Sequence, residues 1–229
     1  MRKLILKMAM SADAFVGGPN GELDWLFRTG DAEARTWTVD VISRASLHIM
    51  GSRTFQDMIA WWPQSTEVFA PPMNDIPKAV FSRTGDLGAS TQAVIDAAKA
   101  DRPSPLDNNS AAVEAKRKEW ASSPILRGDL AVEINRLKQG DGGPIVAHGG
   151  AGFARSLITA GLVDEFALLV HPVVLGRGLP IFSDLAAPTR LSLASATVFP
   201  SGAIAKVYRP ASRKPPEALI RSPVSHAES

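Results

Sequence analysis

The chain has 229 residues, 45% of them hydrophobic and 21% charged, a length and balance at which one globular domain can bury a sizeable core. Its 25 Lys and Arg residues exceed its 23 Asp and Glu residues by only two and are scattered, which gives a nucleic-acid or membrane-surface partner no support. Cysteine is absent, which excludes disulfides, thiolate metal sites, a cysteine nucleophile and a zinc deaminase built on a Cys-x-x-Cys pair.

The first apolar run, Leu4 to Met10, reads as a strand leading into a glycine-rich loop at Gly17, Gly18 and Gly21. Lys7 and Asp13 interrupt it before it could serve as a secretory core, and no stretch approaches the ~20 apolar residues of a membrane span, so a cytoplasmic protein is expected. Helical spacing runs from about Asp31 to Ala45. Leu47 to Met50 is a short buried strand stopped by Gly51, and Ser52 opens another helix, in a region closed by Pro63. Lys78 to Phe81 makes a third strand, followed by Ser82-Arg83-Thr84.

Between about Asp86 and Ser123 the composition shifts to Ala, Ser, Asn, Pro and Lys, with breaks at Pro103-Ser104-Pro105 and Asp107-Asn108-Asn109-Ser110. This segment reads as a surface insertion, part helical around Ala111 to Trp120, inside one domain covering 1–209. Asp129 is a candidate N-cap for a helix with Leu130, Ile134 and Leu137 on one face. Pro144 to Ala147 is then a strand entering His148-Gly149-Gly150-Ala151-Gly152, with a short helix from Phe153 that Gly161 caps. Leu162 to Val170 is another strand, and Leu191 to Phe199 with Ala203 to Tyr208 form a hairpin around Pro200-Ser201-Gly202. From Pro210 onward the tail has little to bury. The alternation of apolar runs with helical segments makes the fold class α/β.

Three loops, each following a predicted strand, carry residues suited to phosphate groups. Gly51-Ser52-Arg53-Thr54 opens a helix, where free backbone N–H groups and the positive helix end attract an anion. Gly149-Gly150-Ala151-Gly152 lets backbone approach a pyrophosphate before the helix from Phe153. Ser82 and Arg83 pair a hydroxyl with a guanidinium that could grip the 2′-phosphate distinguishing NADPH from NADH. Each has an ordinary structural explanation alone; one extended dinucleotide lying across strand ends would account for all three. His148 reads as a structural histidine. Trp25, Trp37, Trp61 and Trp62 could line a pocket for a flat ring, with Trp25 the strongest candidate because it follows the first loop. No metal site is expected.

These are also the positions that carry a family likeness. Lys3 to Gly17, His48 to Phe55, Val80 to Thr84 and His148-Gly149-Gly150 resemble, in that order, the dihydrofolate-reductase-like superfamily. Leu162 to Phe166 followed by His171 to Phe182 resembles, more narrowly, the reductase domain of bacterial riboflavin biosynthesis and its stand-alone relatives. The resemblance implies a three-layer α/β/α fold, its mixed, mainly parallel sheet ending in an antiparallel hairpin, with NADPH as cofactor and a homodimer. It places Ala9, Val16 and Gly17 beside the nicotinamide, with Asp13 shaping that loop at the substrate. Gly51, Ser52, Arg53 and Thr54 would lie on the phosphates, Ser82 and Arg83 on the 2′-phosphate, and Gly149 and Gly150 on the pyrophosphate.

The expected activity is hydride transfer from NADPH to a C=N or C=O group of a small pterin-like or aminopyrimidine-like heterocycle, with Asp24 or Asp31 handling the proton and Trp25 contacting the ring. Where folate-reducing members of the superfamily have Leu-Pro-Trp, this chain has Leu23-Asp24-Trp25. Two alternatives stay open: a nucleotide-binding regulatory or interaction module without turnover, and dihydrofolate reductase proper.

Overall fold

The computed structural model describes residues 1–83, 87, 91–96 and 111–211. Its central strands are short and largely apolar, the pattern of a sheet covered on both faces. They are β1 (Leu4–Ser11), β2 (Leu47–Gly51), β3 (Lys78–Phe81), β4 (Ile125–Leu126), β5 (Ile145–His148), β6 (Glu165–His171), β7 (Leu191–Val198) and β8 (Ile204–Pro210). The helices are α1 (Asp24–Thr29), α2 (Ala32–Ser43), α3 (Ser52–Trp61), α4 (Ala70–Asp75), α5 (Ala111–Ala121), α6 (Leu130–Gln139) and α7 (Ala151–Thr159), with a further helical stretch at 91–96.

The strands form one sheet in the order β4-β3-β2-β5-β1-β6-β8-β7. The first six are mutually parallel, and β6-β8-β7 are antiparallel, as expected for the terminal hairpin. Because side chains alternate along a strand, Leu4, Leu6 and Met8 face one layer with Ile134 of α6 and Ala154 and Leu157 of α7. Ile5, Val146 and Ala167 face the other, against Val41 of α2 and Ala45 just beyond it. On that second face Met50 and Val80 pack with Phe55 and Ile59 of α3, Met73 of α4 and Trp120 of α5. The architecture is therefore the three-layer α/β/α sandwich. No helix among the described residues is long and apolar enough to cross a membrane.

The expected surface insertion is not confined to the surface. Leu87, Ile95, Val113, Arg117 and Trp120 are buried, and Trp120 is wholly enclosed. Its indole N–H donates to Asn74 Oδ1 at 2.9 Å, and the Lys78 ammonium sits 4.5 Å over its ring. Only the positions at 113, 117 and 120 point inward, a stripe too narrow to stand out among the Ala, Lys and Glu around it. The chain then adds β4 beside β3, a strand the sequence reading lacked. Thr84, the Pro103 to Ser110 breaks and the tail from 212 lie outside the described residues.

Candidate active site

The parallel register brings the carboxyl ends of β3, β2, β5, β1 and β6 to one side of the sheet: Gly51 pairs with Phe81, Lys7 with His148 and Ser11 with His171. At ~4.8 Å per strand, the stretch from β3 to β1 spans roughly 14 Å. The three loops expected to hold phosphates leave from neighbouring strands within that stretch.

Two of the four helices of eight or more residues with a described N-cap begin conventionally. Asp31 caps α2 by accepting from Ala34 N–H at 2.8 Å, and Asp129 caps α6 by accepting from Ala131 and Val132 N–H. By contrast α3 and α7 start at Gly51 and Gly150, and neither has a side-chain cap. Their first-turn N–H groups carry the positive helix end without an internal anion.

These two starts lie against each other. The Thr54 hydroxyl donates to the Gly149 carbonyl at 3.1 Å, and a Cβ on Gly51 would come within 3.2 Å of Phe153 Cβ. At Gly150 φ is +84°, and a Cβ there would sit 2.7 Å from Thr54 Oγ1. Glycine is thus required by the mutual packing of the turns, in addition to any ligand. The Phe81 and Phe153 rings, 5.1 Å apart, bring in the third loop, where Ser82 is buried and Arg83 is exposed. Arg53 is exposed, Ser52 is half-buried, Ala151 is buried, and Gly152 faces open space.

The other end of this row is built from side chains. β1 is buried except at Lys7 and Ala9, which are partly exposed on one face of the sheet. Burial pushes the Lys7 ammonium down to about 8, and among the described residues it has no hydrogen bond or ion pair. On the same face, His148 Nε2 lies 2.6 Å from His48 Nδ1, and His48 Nε2 lies 3.2 Å from the Pro72 carbonyl. A carbonyl only accepts, so His48 donates from Nε2 and accepts a hydrogen bond from His148 Nε2–H at Nδ1. Burial, with the Lys78 charge adding, lowers His48 to about 4; burial holds His148 well below the ordinary histidine range. Both rings are neutral near pH 7.

At β6, His171 meets Trp25 edge-on, with ring centroids 5.4 Å apart, and its Nδ1 lies 2.9 Å from the Thr29 hydroxyl. His171 Nε2 is buried without a partner. Burial lowers its pKa; a hydrogen bond at Thr29 opposes this, the Lys7 charge adds to it, and Asp31 opposes it.

Of the two expected acids, Asp31 has structural partners. Asp31 gives Oδ1 to the α2 cap and Oδ2 to Ser201 N–H at 2.8 Å, and those hydrogen bonds, the one at Ser201 foremost, lower it to about 2. Both bonds favour its carboxylate form. Asp24 is exposed at the start of α1. Asp13 accepts from Leu175 and Gly176 N–H, clamping the loop after β6. Val16 and Gly17 exchange backbone hydrogen bonds with Leu179, and Gly178 abuts the Gly17 carbonyl so closely that no side chain fits. Trp25, in the first turn of α1, is buried, whereas Trp37 and Trp62 serve packing. Beyond Thr29 a cleft of about 660 Å³ opens between α2 and the 66–69 loop, bordered by Gly30, Asp31, Arg35 and Glu67.

A lysine inside the run Leu4-Ile5-Leu6-Lys7-Met8 was the available signal for the reaction end. His171 and Thr29, 142 positions apart, carried none until folded together.

With this geometry the chain can be compared with known proteins. The family profile described as the RibD C-terminal domain matches residues 2–205. The chain belongs to that family. Among RibD C-terminal relatives, the uncharacterized protein YyaP of Bacillus subtilis (strain 168) is 28% identical over 207 residues, covering 90% of this chain and 94% of YyaP. The structure is similar to a diaminohydroxyphosphoribosylaminopyrimidine deaminase/5-amino-6-(5-phosphoribosylamino)uracil reductase from Thermotoga maritima, with TM-score 0.62 and 15% identity, over 92% of this chain and 57% of that one. It is also similar to dihydrofolate reductase from Enterococcus faecalis complexed with NADP(H), with TM-score 0.53 and 11% identity, over 91% and 96% of the two chains. The fold is that of the dihydrofolate-reductase-like and riboflavin-pathway reductases, as the sequence motifs implied.

Proposed function

We propose that this protein is an NADPH-dependent reductase that delivers a hydride to a C=N or C=O carbon of a small heterocycle. The observation that carries the reading is the pair of uncapped helix starts, α3 and α7, held side by side by the Thr54–Gly149 hydrogen bond with Ser82 and Arg83 at the next strand end. Adjacent helix N-termini that lack an internal anion fit a diphosphate. Gly51 to Thr54 and Gly149 to Phe153 would hold it, Ser82 and Arg83 would hold a 2′-phosphate, and Ala9, Val16 and Gly17 would border the nicotinamide. The bound cofactor supplies the hydride.

The protein supplies position and a proton. Lys7 stands on the same partly exposed face of β1 as Ala9, and an ammonium lowered to about 8 by burial can both oppose negative charge and release its proton near neutral pH. It replaces Asp24 and Asp31 in that role. Reduction is balanced when the hydride reaches carbon and the Lys7 proton reaches the adjoining nitrogen or oxygen; solvent then reprotonates the amine. A homodimer through β7, an edge strand among the described residues, where Leu193 and Val198 are exposed, is part of the same proposal.

The deciding measurement is cofactor fluorescence on mixing with NADPH, followed by cofactor consumption with pterins, aminopyrimidine ribosides and simple carbonyls. Binding with turnover on one of these is expected. Tight binding without turnover on any would favour a regulatory module, and no binding would remove the reading.

A further inference from the structure

The Thr29 hydroxyl has a single proton, and the Trp25 carbonyl 2.8 Å away can only accept it. The 2.9 Å contact between Thr29 Oγ1 and His171 Nδ1 is therefore a hydrogen bond donated by the imidazole. In a neutral ring that leaves Nε2 as a bare acceptor, and this is the buried atom without a partner. The ring is fixed by Thr29 at one edge and Trp25 at the other, so the lone pair has a set direction. His171 is only 4% exposed, yet Ala9, two register pairs from the Ser11–His171 pair on the same face, is partly exposed. Beyond Ala9 on that face lies Lys7, a donor without an acceptor.

We infer that His171 Nε2 accepts a hydrogen bond from a ring N–H of the substrate, making His171 a specificity residue that selects lactam-like heterocycles over N-alkylated ones. The inference deepens the reductase reading and rests on it. A lactam edge presents a carbonyl beside an N–H, which complements a cationic donor at one end of this face and a bare acceptor at the other. A site built to receive a donor discriminates strongly, because a ligand lacking it leaves the acceptor unpaired.

The test uses protein saturated with NADP⁺ and two probes, lumazine, which carries ring N–H groups, and 1,3-dimethyllumazine, which does not. The wild type should prefer lumazine by roughly tenfold to a hundredfold in calorimetric titration. His171→Phe keeps the edge contact with Trp25 and should lose most of that preference, with NADP⁺ affinity unchanged. His171→Gln, which retains an acceptor oxygen, should recover part of it. Steric effects of the methyl groups are common to all three proteins and cancel in the comparison. Should the variants prove unstable, nitrogen NMR of the wild type should show Nε2 without a proton and its resonance moving as lumazine saturates the site.

Equal preference in the wild type and His171→Phe, an unmoved Nε2 resonance at saturation, or no lumazine binding by protein that binds NADP⁺ would each overturn the inference while leaving the cofactor reading intact. Failure to bind NADP⁺ would remove the reductase reading, and this inference with it.

Discussion

The two ends of the strand-end row are made from different materials. Toward β3 and β2 the chemistry is backbone: glycines, two uncapped helix starts and turns that touch through Thr54 and Phe153. Toward β1 and β6 it is side chain: Lys7, His171, Thr29 and Trp25 around the partly exposed positions of an otherwise buried strand. The difference teaches where each end is vulnerable. Backbone sites fail when atoms are added, and side-chain sites fail when charge or a lone pair is removed.

Lys7→Met sharpens this most. Losing the positioned acid should lower turnover by about 10²–10⁴-fold. The same change should raise stability at pH 7 by up to about 3 kcal/mol, because a lysine lowered from 10.5 to about 8 carries a burial cost while charged. That cost is fully present below pH 8 and fades toward pH 10.5, so the gain should shrink over that window in urea titrations. An unchanged turnover rate, or a loss of stability at pH 7, would place Lys7 among ordinary surface lysines.

At the backbone end, Gly150→Ala forces a side chain into a left-handed position against Thr54 and should cost about 2–3 kcal/mol, with weakened NADPH binding. Adding Thr54→Gly should return the part due to collision and leave the part due to φ. If it returns nothing, the close approach of the two turns is not what glycine serves. Next comes Arg83→Ala, which should weaken NADPH roughly tenfold or more and NADH hardly at all, since a charge-assisted partner of the 2′-phosphate contributes about 1.5–3 kcal/mol. Equal losses for both cofactors would remove Arg83 from that role.

The smallest effect concerns the His48–His148 pair. Both are held neutral by burial, so the unfolded chain binds protons first as pH falls, and stability present above about 6.5 should decline as the pH falls toward 4. Replacing both by Phe should flatten that window. Asp31, lowered to about 2, contributes a separate decline between about 3.8 and 2 that the double variant should keep.

Much of this was legible from local pattern. Lys78 to Phe81, the Asp129 cap, the terminal hairpin and the loop order were readable because strand burial, capping chemistry and turn glycines act within a few residues. Trp120 was misplaced because a helix burying three of eleven positions looks like solvated chain. Asp31 showed the limit at the site: a carboxylate after a loop reads equally as acid or cap, and only the distant Ser201 N–H decides between them.

What the sequence determined by itself is the alternation of elements and the placement of glycines after strands, since both follow from nearest-neighbour sterics and periodicity. What tertiary structure decided is the pairing of groups far apart in the chain: Thr54 with Gly149, His48 with His148, and Thr29 with His171. Those pairs depend on strand order, β2 beside β5 and β1 beside β6, and strand order follows from burying two sheet faces at once. No single segment carries that constraint.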